Sequence, residues 1–129
     1  MKGVLVFLSI LLFASGMAYA KEYEAKKTVE GYEVTMKIDK NPPVAGENNM
    51  TIEIKDTEGR YVSDARVAVN YSMPPMPGMP PMNYKADAEL KGNKYTVKIN
   101  LSMSGSWNIS IKITRADKTS TAKFTVDAR

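Results

Sequence analysis

The chain has 129 residues and a formal net charge of +4 at pH 7, and it contains no histidine and no cysteine. It therefore lacks disulfides, the nitrogen and thiolate ligands that zinc commonly uses, and the residues of Ser-His-Asp or Cys-His catalysis. Lysines and glutamates are interspersed, with no basic run among aromatic residues, so we expect no nucleic-acid partner. We also expect that the protein is not an enzyme.

Residues 1–20 have the pattern of a signal peptide. Lys2 supplies a positive charge, an apolar run extends from Gly3 to about Phe13, and Ala18-Tyr19-Ala20 has the small residues of a cleavage site. We expect cleavage after Ala20, which lowers the formal net charge by one, to +3. A retained anchor is the alternative, but the apolar run is short for a membrane-spanning helix, which needs about 20 residues. The mature protein is then periplasmic or otherwise exported, with no membrane span.

After a polar segment at 21–27, which we expect to be a flexible arm, apolar and polar residues alternate in short runs. Such runs, separated by turn residues, predict half-buried strands. The predicted strands run, in chain order, from Tyr32 to Ile38, Met50 to Ile54, Val67 to Tyr71, Ala86 to Leu90, Tyr95 to Leu101, Trp107 to Ile113 and Ala122 to Val126. We expect residues 44–49 to form a loop and the strand from Ala86 to Leu90 to be a weak edge strand.

No helical period appears after the signal, so the predicted fold is all-β. Seven strands at regular spacing favour an immunoglobulin-like antiparallel β-sandwich of about seven strands, over residues 28–129. Trp107, Met36 and Met50 are expected in its core, and Tyr95 is a candidate for a tyrosine-corner contact.

The third predicted strand leads into residues 73–82, MPPMPGMPPM, which we call the Met-Pro segment. It holds four of the nine methionines and five of the seven prolines. Pro77 and Gly78 suit the two central positions of a type II turn, which places Met76 and Met79 at its ends. The flanking Pro-Pro pairs favour polyproline II, with three residues per turn. Folded as a hairpin, the segment would carry two tiers of thioethers on one side.

Thioether sulfur is a soft, neutral ligand that suits Cu(I) and not Mg²⁺ or Ca²⁺. Met103 lies in a small-residue turn between two later strands and becomes a further ligand if that turn lies at the same end of the sandwich. The candidate metal ligands are Met73, Met76, Met79, Met82 and Met103. Alternatively, these methionines are apolar filler that covers the end of the core.

Four further motifs occur in a fixed order along the chain. They are Pro43-x-x-Gly46-Glu47-Asn48, Ala65-x-Val67-x-Val69 before the Met-Pro segment, Gly92-x-x-Tyr95, and Met103-x-Gly105-x-Trp107-x-Ile109. From Thr28 to Val126 the chain thus resembles the YtkA-like domain, which is related to FixH-like proteins, and more loosely the CopC-like copper carriers. The resemblance implies an exported immunoglobulin-like sandwich associated with copper handling or with the assembly of copper-containing membrane oxidases.

From these observations we expect an exported, non-enzymatic module that binds Cu(I) for copper handling or delivery, with Trp107 or Tyr84 shielding the ion. The alternative is a protein-interaction or assembly module that docks on a membrane oxidase or an efflux partner through the same apolar loop. In both cases the expected partner is a copper protein or a membrane complex.

Overall fold

The computed structural model describes residues 22–129, and the predicted signal peptide with its cleavage site at Ala20 lies outside this range. The described residues form nine strands, all paired antiparallel. The strands are β1 (Tyr23–Val29), β2 (Tyr32–Ile38), β3 (Gly46–Lys55), β4 (Arg66–Met73), β5 (Met82–Asp87), β6 (Glu89–Lys91), β7 (Lys94–Leu101), β8 (Gly105–Arg115) and β9 (Lys118–Ala128).

The strands make two sheets, with the orders β1-β2-β3-β7-β6 and β5-β4-β8-β9. Alternate residues of each strand face inward, and the two inner faces form one apolar core. Trp107, Met36 and Met50 are buried in it, as predicted. The predicted all-β sandwich is therefore confirmed, because the period-two alternation fixes which face of each strand is buried.

The structure has two more strands than predicted, and one of them is β1. We expected a flexible arm at 21–27, but from Tyr23 onward this segment pairs with β2. Tyr23 and Ala25 pack against the core, whereas Lys27 on the same face donates its Nζ hydrogen to the carbonyl of Lys123 at 2.7 Å. Lys27 interrupts the alternation of apolar and polar residues, and a charged residue at a core-facing position is more typical of a loop than of a strand. Such lysines are common on edge strands.

The other additional strand arises because the chain changes sheets at Ala88. The predicted weak strand from Ala86 to Leu90 is divided between β5 and β6, which are edge strands of opposite sheets. The Ala88 amide donates to the carbonyl of Val67 at 2.9 Å, at the crossing point. The expected loop at 44–49 is also shorter than predicted, because β3 begins at Gly46 and pairs there with Leu101.

Tyr95 makes a buried contact that holds the sandwich together at the start of β7. Its hydroxyl donates to the carbonyl of Val62 at 3.0 Å and accepts from the amide of Ala65 at 3.1 Å. In a tyrosine corner the hydroxyl forms a hydrogen bond with the backbone a few residues upstream. The partners of Tyr95 lie 33 and 30 residues upstream, so this contact is not a tyrosine corner. Tyr95 thus joins β7 to the connection between β3 and β4.

An ion-pair cluster on the outer face of the first sheet makes stability depend on pH. The carboxylate of Glu53 lies 3.0 Å from Lys37 Nζ and 3.5 Å from Lys94 Nζ. Burial alone raises the pKa of Glu53, but the hydrogen bond from Lys37 and the charges of both lysines outweigh burial and hold this pKa below its ordinary value. The cluster therefore stabilises the fold fully above the ordinary glutamate pKa of about 4.3, and this contribution is lost as the pH falls through the lowered pKa.

We accordingly expect Glu53→Gln to lower the free energy of unfolding at pH 7 by about 0.5–1 kcal/mol, as for other partly exposed ion pairs. Urea unfolding at pH 7 and pH 3 measures the difference, which should shrink at the lower pH. Glu47→Gln is the control, since within residues 22–129 Glu47 forms no ion pair. An equal loss of stability at both pH values would contradict the assignment.

Candidate metal site

Several chain connections meet at one end of the sandwich, which we call the methionine end. The loop of residues 74–81 joins β4 to β5 there, and residues 102–104 join β7 to β8. The pairings of Leu101 with Gly46 and of Ala128 with Gly105 bring the start of β3 and the end of β9 to the same end. Since Tyr23 pairs with Ile38 at the end of β2, the start of β1 lies there too.

The Met-Pro segment folds as the predicted hairpin. Met73 and Met82 are direct partners across β4 and β5. At the tip, the amide of Met79 donates to the carbonyl of Met76 at 3.1 Å, and Gly78 has a φ of +78°. A positive φ at the third position is what a type II turn requires, so the predicted turn is confirmed.

Met73 and Met82 form an inner pair at the base of the hairpin. Met73 is only 9% exposed, and Met82 is partly buried against the core. Directly opposed residues on one face of an antiparallel pair have Cβ atoms about 4.5–5.5 Å apart, so these two side chains are neighbours. The hydroxyl of Ser102 donates to Met82 Sδ at 3.7 Å. A Cβ placed on Gly105 would lie 2.8 Å from the terminal methyl of Met73.

Met76 and Met79 form an outer pair at the tip, and each is 38% exposed. Each outer methionine lies three positions along the chain from the inner methionine on the same leg of the hairpin. In polyproline II this corresponds to about 9 Å along the chain. The four methionines therefore occupy two tiers along the hairpin, as predicted. The outer pair is exposed, whereas Met73 is buried and Met82 is partly buried.

Met103 lies at the methionine end, as the site prediction required. Its side chain is partly buried against the core, and its carbonyl accepts a hydrogen bond from Trp107 Nε1 at 3.0 Å. The neighbouring Ser102 donates to Met82, and the methyl group of Met73 fills the space that a side chain on Gly105 would occupy. The structure thus brings Met103 into the same region as Met73 and Met82, and its role as a ligand stays a prediction.

An aromatic cluster lies beside the inner pair. The rings of Tyr71 and Tyr84 are 5.4 Å apart, and each lies 6.1 Å from the ring of Trp107. Trp107 is completely buried, whereas Tyr84 is 39% exposed, with its hydroxyl 3.4 Å from that of Ser102. The sequence predicts Trp107 and Tyr84 beside the proposed site, and Tyr71 is an additional member of the cluster. Alternation alone could have found it, because Tyr71 lies two residues before Met73 on the same strand face.

Asn48 is a second residue whose role the sequence did not reveal. It is fully buried, its side-chain amide donates to the carbonyls of Val44 and Gly46, and its Oδ1 accepts from the amide of Val44. The same segment pairs with the chain end, where the amide of Ala45 donates to the carbonyl of Arg129 at 3.1 Å. Asn48 therefore fixes the backbone at the methionine end. In the sequence, the only indication of this role is that Asn48 belongs to the motif Pro43-x-x-Gly46-Glu47-Asn48.

The donors of the Met-Pro segment are soft and uncharged. No charged residue occurs between Arg66 and Lys85 in the sequence, a stretch that includes the whole Met-Pro segment. Within the described residues, no three His, Cys, Asp or Glu side chains are grouped so that they could hold a metal ion. The Met-Pro segment thus offers thioethers with aromatic rings beside them, and these groups suit a soft monovalent cation such as Cu(I) better than a hard divalent one.

The sequence model of the YtkA-like family matches residues 26–112. This chain belongs to the YtkA-like family. The matched range of this YtkA-like domain includes the Met-Pro segment and residues 102–105, and it ends within β8. Family membership indicates a small exported domain. A search of curated proteins finds no match. Residues 22–129 contain no helix with the length and hydropathy needed to cross a membrane.

Proposed function

We propose that this YtkA-like domain is a non-enzymatic Cu(I)-binding module that serves copper handling or delivery outside the cytoplasm. The supporting observation is that Met73 lies opposite Met82 in the hairpin and that the connection carrying Met103 lies against this pair. The spacing of these three methionines in the sequence does not predict that they lie close together, because Met103 is far from the hairpin along the chain. Their side chains supply the thioethers that Cu(I) prefers.

The surroundings favour a site that releases its ion readily. Thioethers are neutral, so they leave the positive charge of Cu(I) uncompensated. The Met-Pro segment contains no carboxylate that could balance this charge. The electron-rich faces of Tyr84 and Trp107 attract a nearby cation and exclude water from it. An ion held in this way is bound selectively and stays exchangeable, as copper delivery requires.

Anaerobic Cu(I) titration of the mature chain, followed by the NMR shifts of the methionine methyl groups, tests the proposal. The protein should be tag-free, because the start of β1 and the end of β9 both lie at the methionine end and a histidine tag would compete for the ion. Selective shifts of Met73, Met82 and Met103 that saturate at a single equivalent support the proposal. The core methyls of Met36 and Met50 serve as internal references, and shifts no larger than theirs would refute it.

Cu(I) affinity should change little with pH. Cysteine thiolates and imidazoles must lose a proton to bind a metal, so their affinity falls in acid, whereas a thioether has no proton to lose. We expect the Cu(I) dissociation constant to change by less than about threefold between pH 7.5 and pH 5, which is under about 0.7 kcal/mol. Competition with a chelator of known pH dependence measures it. A steep loss of binding over this range would show that a titrating group is a ligand.

A second candidate function, docking on a partner protein, is favoured by the exposed tip. Met76, Met79 and Tyr84 are among the large apolar side chains that remain 38–39% exposed. Prolines restrict the loop before it binds, which lowers the entropy lost on docking, and methionine adapts to varied surfaces. The expected partner is a copper protein or a membrane complex, such as an oxidase or efflux subunit. Capture of such a partner that survives replacement of the methionines by leucine would support docking.

A further inference from the structure

The two methionines at the tip of the Met-Pro segment are far more accessible than Met73 at its base. Met73 is 9% exposed, with the core on one side and Gly105 against its methyl group. Met76 and Met79 are each 38% exposed at a turn closed by their own backbone hydrogen bond. An incoming ligand on another molecule can contact the outer pair directly, whereas the interior position of Met73 shields it.

We propose that the outer pair, Met76 and Met79, is an exchange pair that passes Cu(I) between an external donor or acceptor and the inner thioethers of Met73 and Met82. This inference rests on the proposed Cu(I) function and assigns the two tiers different tasks. The inner pair, with Met103, determines the equilibrium affinity. The outer pair determines how fast the ion is loaded and released.

The hairpin geometry supports a relay between the tiers. Pro74-Pro75 and Pro80-Pro81 form the two legs, and paired prolines favour the extended polyproline II conformation. In that conformation each leg would place an outer methionine about 9 Å along the chain from an inner one. Because methionine has three rotatable bonds, its sulfur can move between positions without any change in the backbone.

The transfer step involves ligand exchange alone. A Cu–S bond to Met76 or Met79 forms as a Cu–S bond to Met73 or Met82 breaks, and the same exchange then occurs with the ligand of the acceptor. Copper remains Cu(I), thioethers are neutral before and after, and no proton moves. The relay therefore needs neither an oxidant nor a reductant. Its rate should depend on the outer sulfurs and hardly at all on pH.

Two matched variants separate the tasks of the tiers. Met76→Leu/Met79→Leu removes the outer sulfurs, and Met73→Leu/Met82→Leu removes the inner ones, while Met36→Leu makes the same chemical change in the core. Equilibrium competition with a coloured Cu(I) chelator gives the affinity, and stopped-flow mixing of the loaded protein with excess chelator gives the release rate. Because Met73 is buried, Met82→Leu alone is the second inner variant should the double replacement disturb folding.

For the outer variant we expect a Cu(I) affinity within about threefold of the wild type and a release rate at least about tenfold slower, since kinetics and affinity can change independently. For the inner variant we expect an affinity loss of about 30-fold or more, which exceeds 2 kcal/mol. An outer variant that loses as much affinity as the inner one would overturn the relay and show a single shared site. An unchanged release rate would overturn it as well.

The proposed function and the relay can fail separately. Wild-type protein that does not bind Cu(I) in the equilibrium titration disproves the function, and the relay with it. Wild-type binding combined with either contrary result for the outer variant disproves the relay alone. The Met36→Leu control should match the wild type in both measurements, which confirms that losing a thioether elsewhere has no effect.

Discussion

Replacing Gly105 with alanine should destabilise the sandwich and displace Met73 from the inner pair. Gly105 has a φ of +130°, which costs a residue with a side chain about 1–3 kcal/mol. The added Cβ would also lie 2.8 Å from the terminal methyl of Met73, closer than carbon atoms pack. The methyl is the far end of a flexible side chain, so Met73 should move and the strand should stay. We expect a lower unfolding free energy and a weaker Cu(I) site together.

Thermal unfolding and the NMR shift of the Met73 methyl measure the two effects of Gly105→Ala. Gly59→Ala is the matched control, because Gly59 also has a positive φ, of +81°, but no atom lies within 4 Å of its added Cβ. It should show the backbone cost without any change at Met73. If Gly105→Ala leaves the Met73 methyl and the Cu(I) affinity unchanged, Gly105 does not position the thioether.

Features that depend on local chemistry were predictable from the sequence. Pro77 and Gly78 specify a type II turn by their own backbone preferences, and the structure contains it. The alternation around Trp107 likewise placed that residue in the core. The hairpin follows from the turn and from the alternating run that precedes it, since a chain reversal after a strand favours antiparallel pairing.

Features that depend on contacts between distant residues were not predictable in the same way. Lys27 occupies a core-facing position on β1, where its ammonium group donates a hydrogen bond to the carbonyl of Lys123. That partner lies 96 residues away along the chain. The crossing at Ala88 depends on the carbonyl of Val67 in the other sheet. The local sequence of neither segment indicates its distant partner. The sequence therefore predicts a flexible arm at 21–27 and a single weak strand from Ala86 to Leu90.

The methionine end combines a fixed base with an accessible tip. Asn48 bonds the backbone of its own loop, and the indole of Trp107 is tied to the carbonyl of Met103. The turn at Met76 and Met79 is closed by one backbone hydrogen bond and stiffened by prolines. Metal sites need ligands held in a defined arrangement, whereas exchange needs ligands that partners can contact. Under the proposed function, Met73 and Met82 would be the ligands held in place, and Met76 and Met79 would be the ligands that partners contact.

Replacing Met73, Met76, Met79 and Met82 together with leucine should abolish Cu(I) binding and leave the fold intact. Leucine keeps nearly the same volume and removes the sulfur, and such swaps usually cost less than about 1.5 kcal/mol each, even in a core. Of the four, Met73 is the one buried in the core, so we expect a total stability loss of about 1–2 kcal/mol. The Cu(I) dissociation constant should rise by at least about 100-fold, or 2.7 kcal/mol.

Circular dichroism and thermal unfolding establish that the quadruple variant is folded, and chelator competition measures its Cu(I) affinity. A variant with Met36 and Met50 replaced by leucine is the control, because it removes two thioethers from the core and none from the methionine end. If the quadruple variant keeps wild-type affinity, the Met-Pro segment is not the copper site. If it loses Cu(I) but still captures the partner protein, the apolar shape of the loop is sufficient for docking, and the sulfurs serve the metal alone.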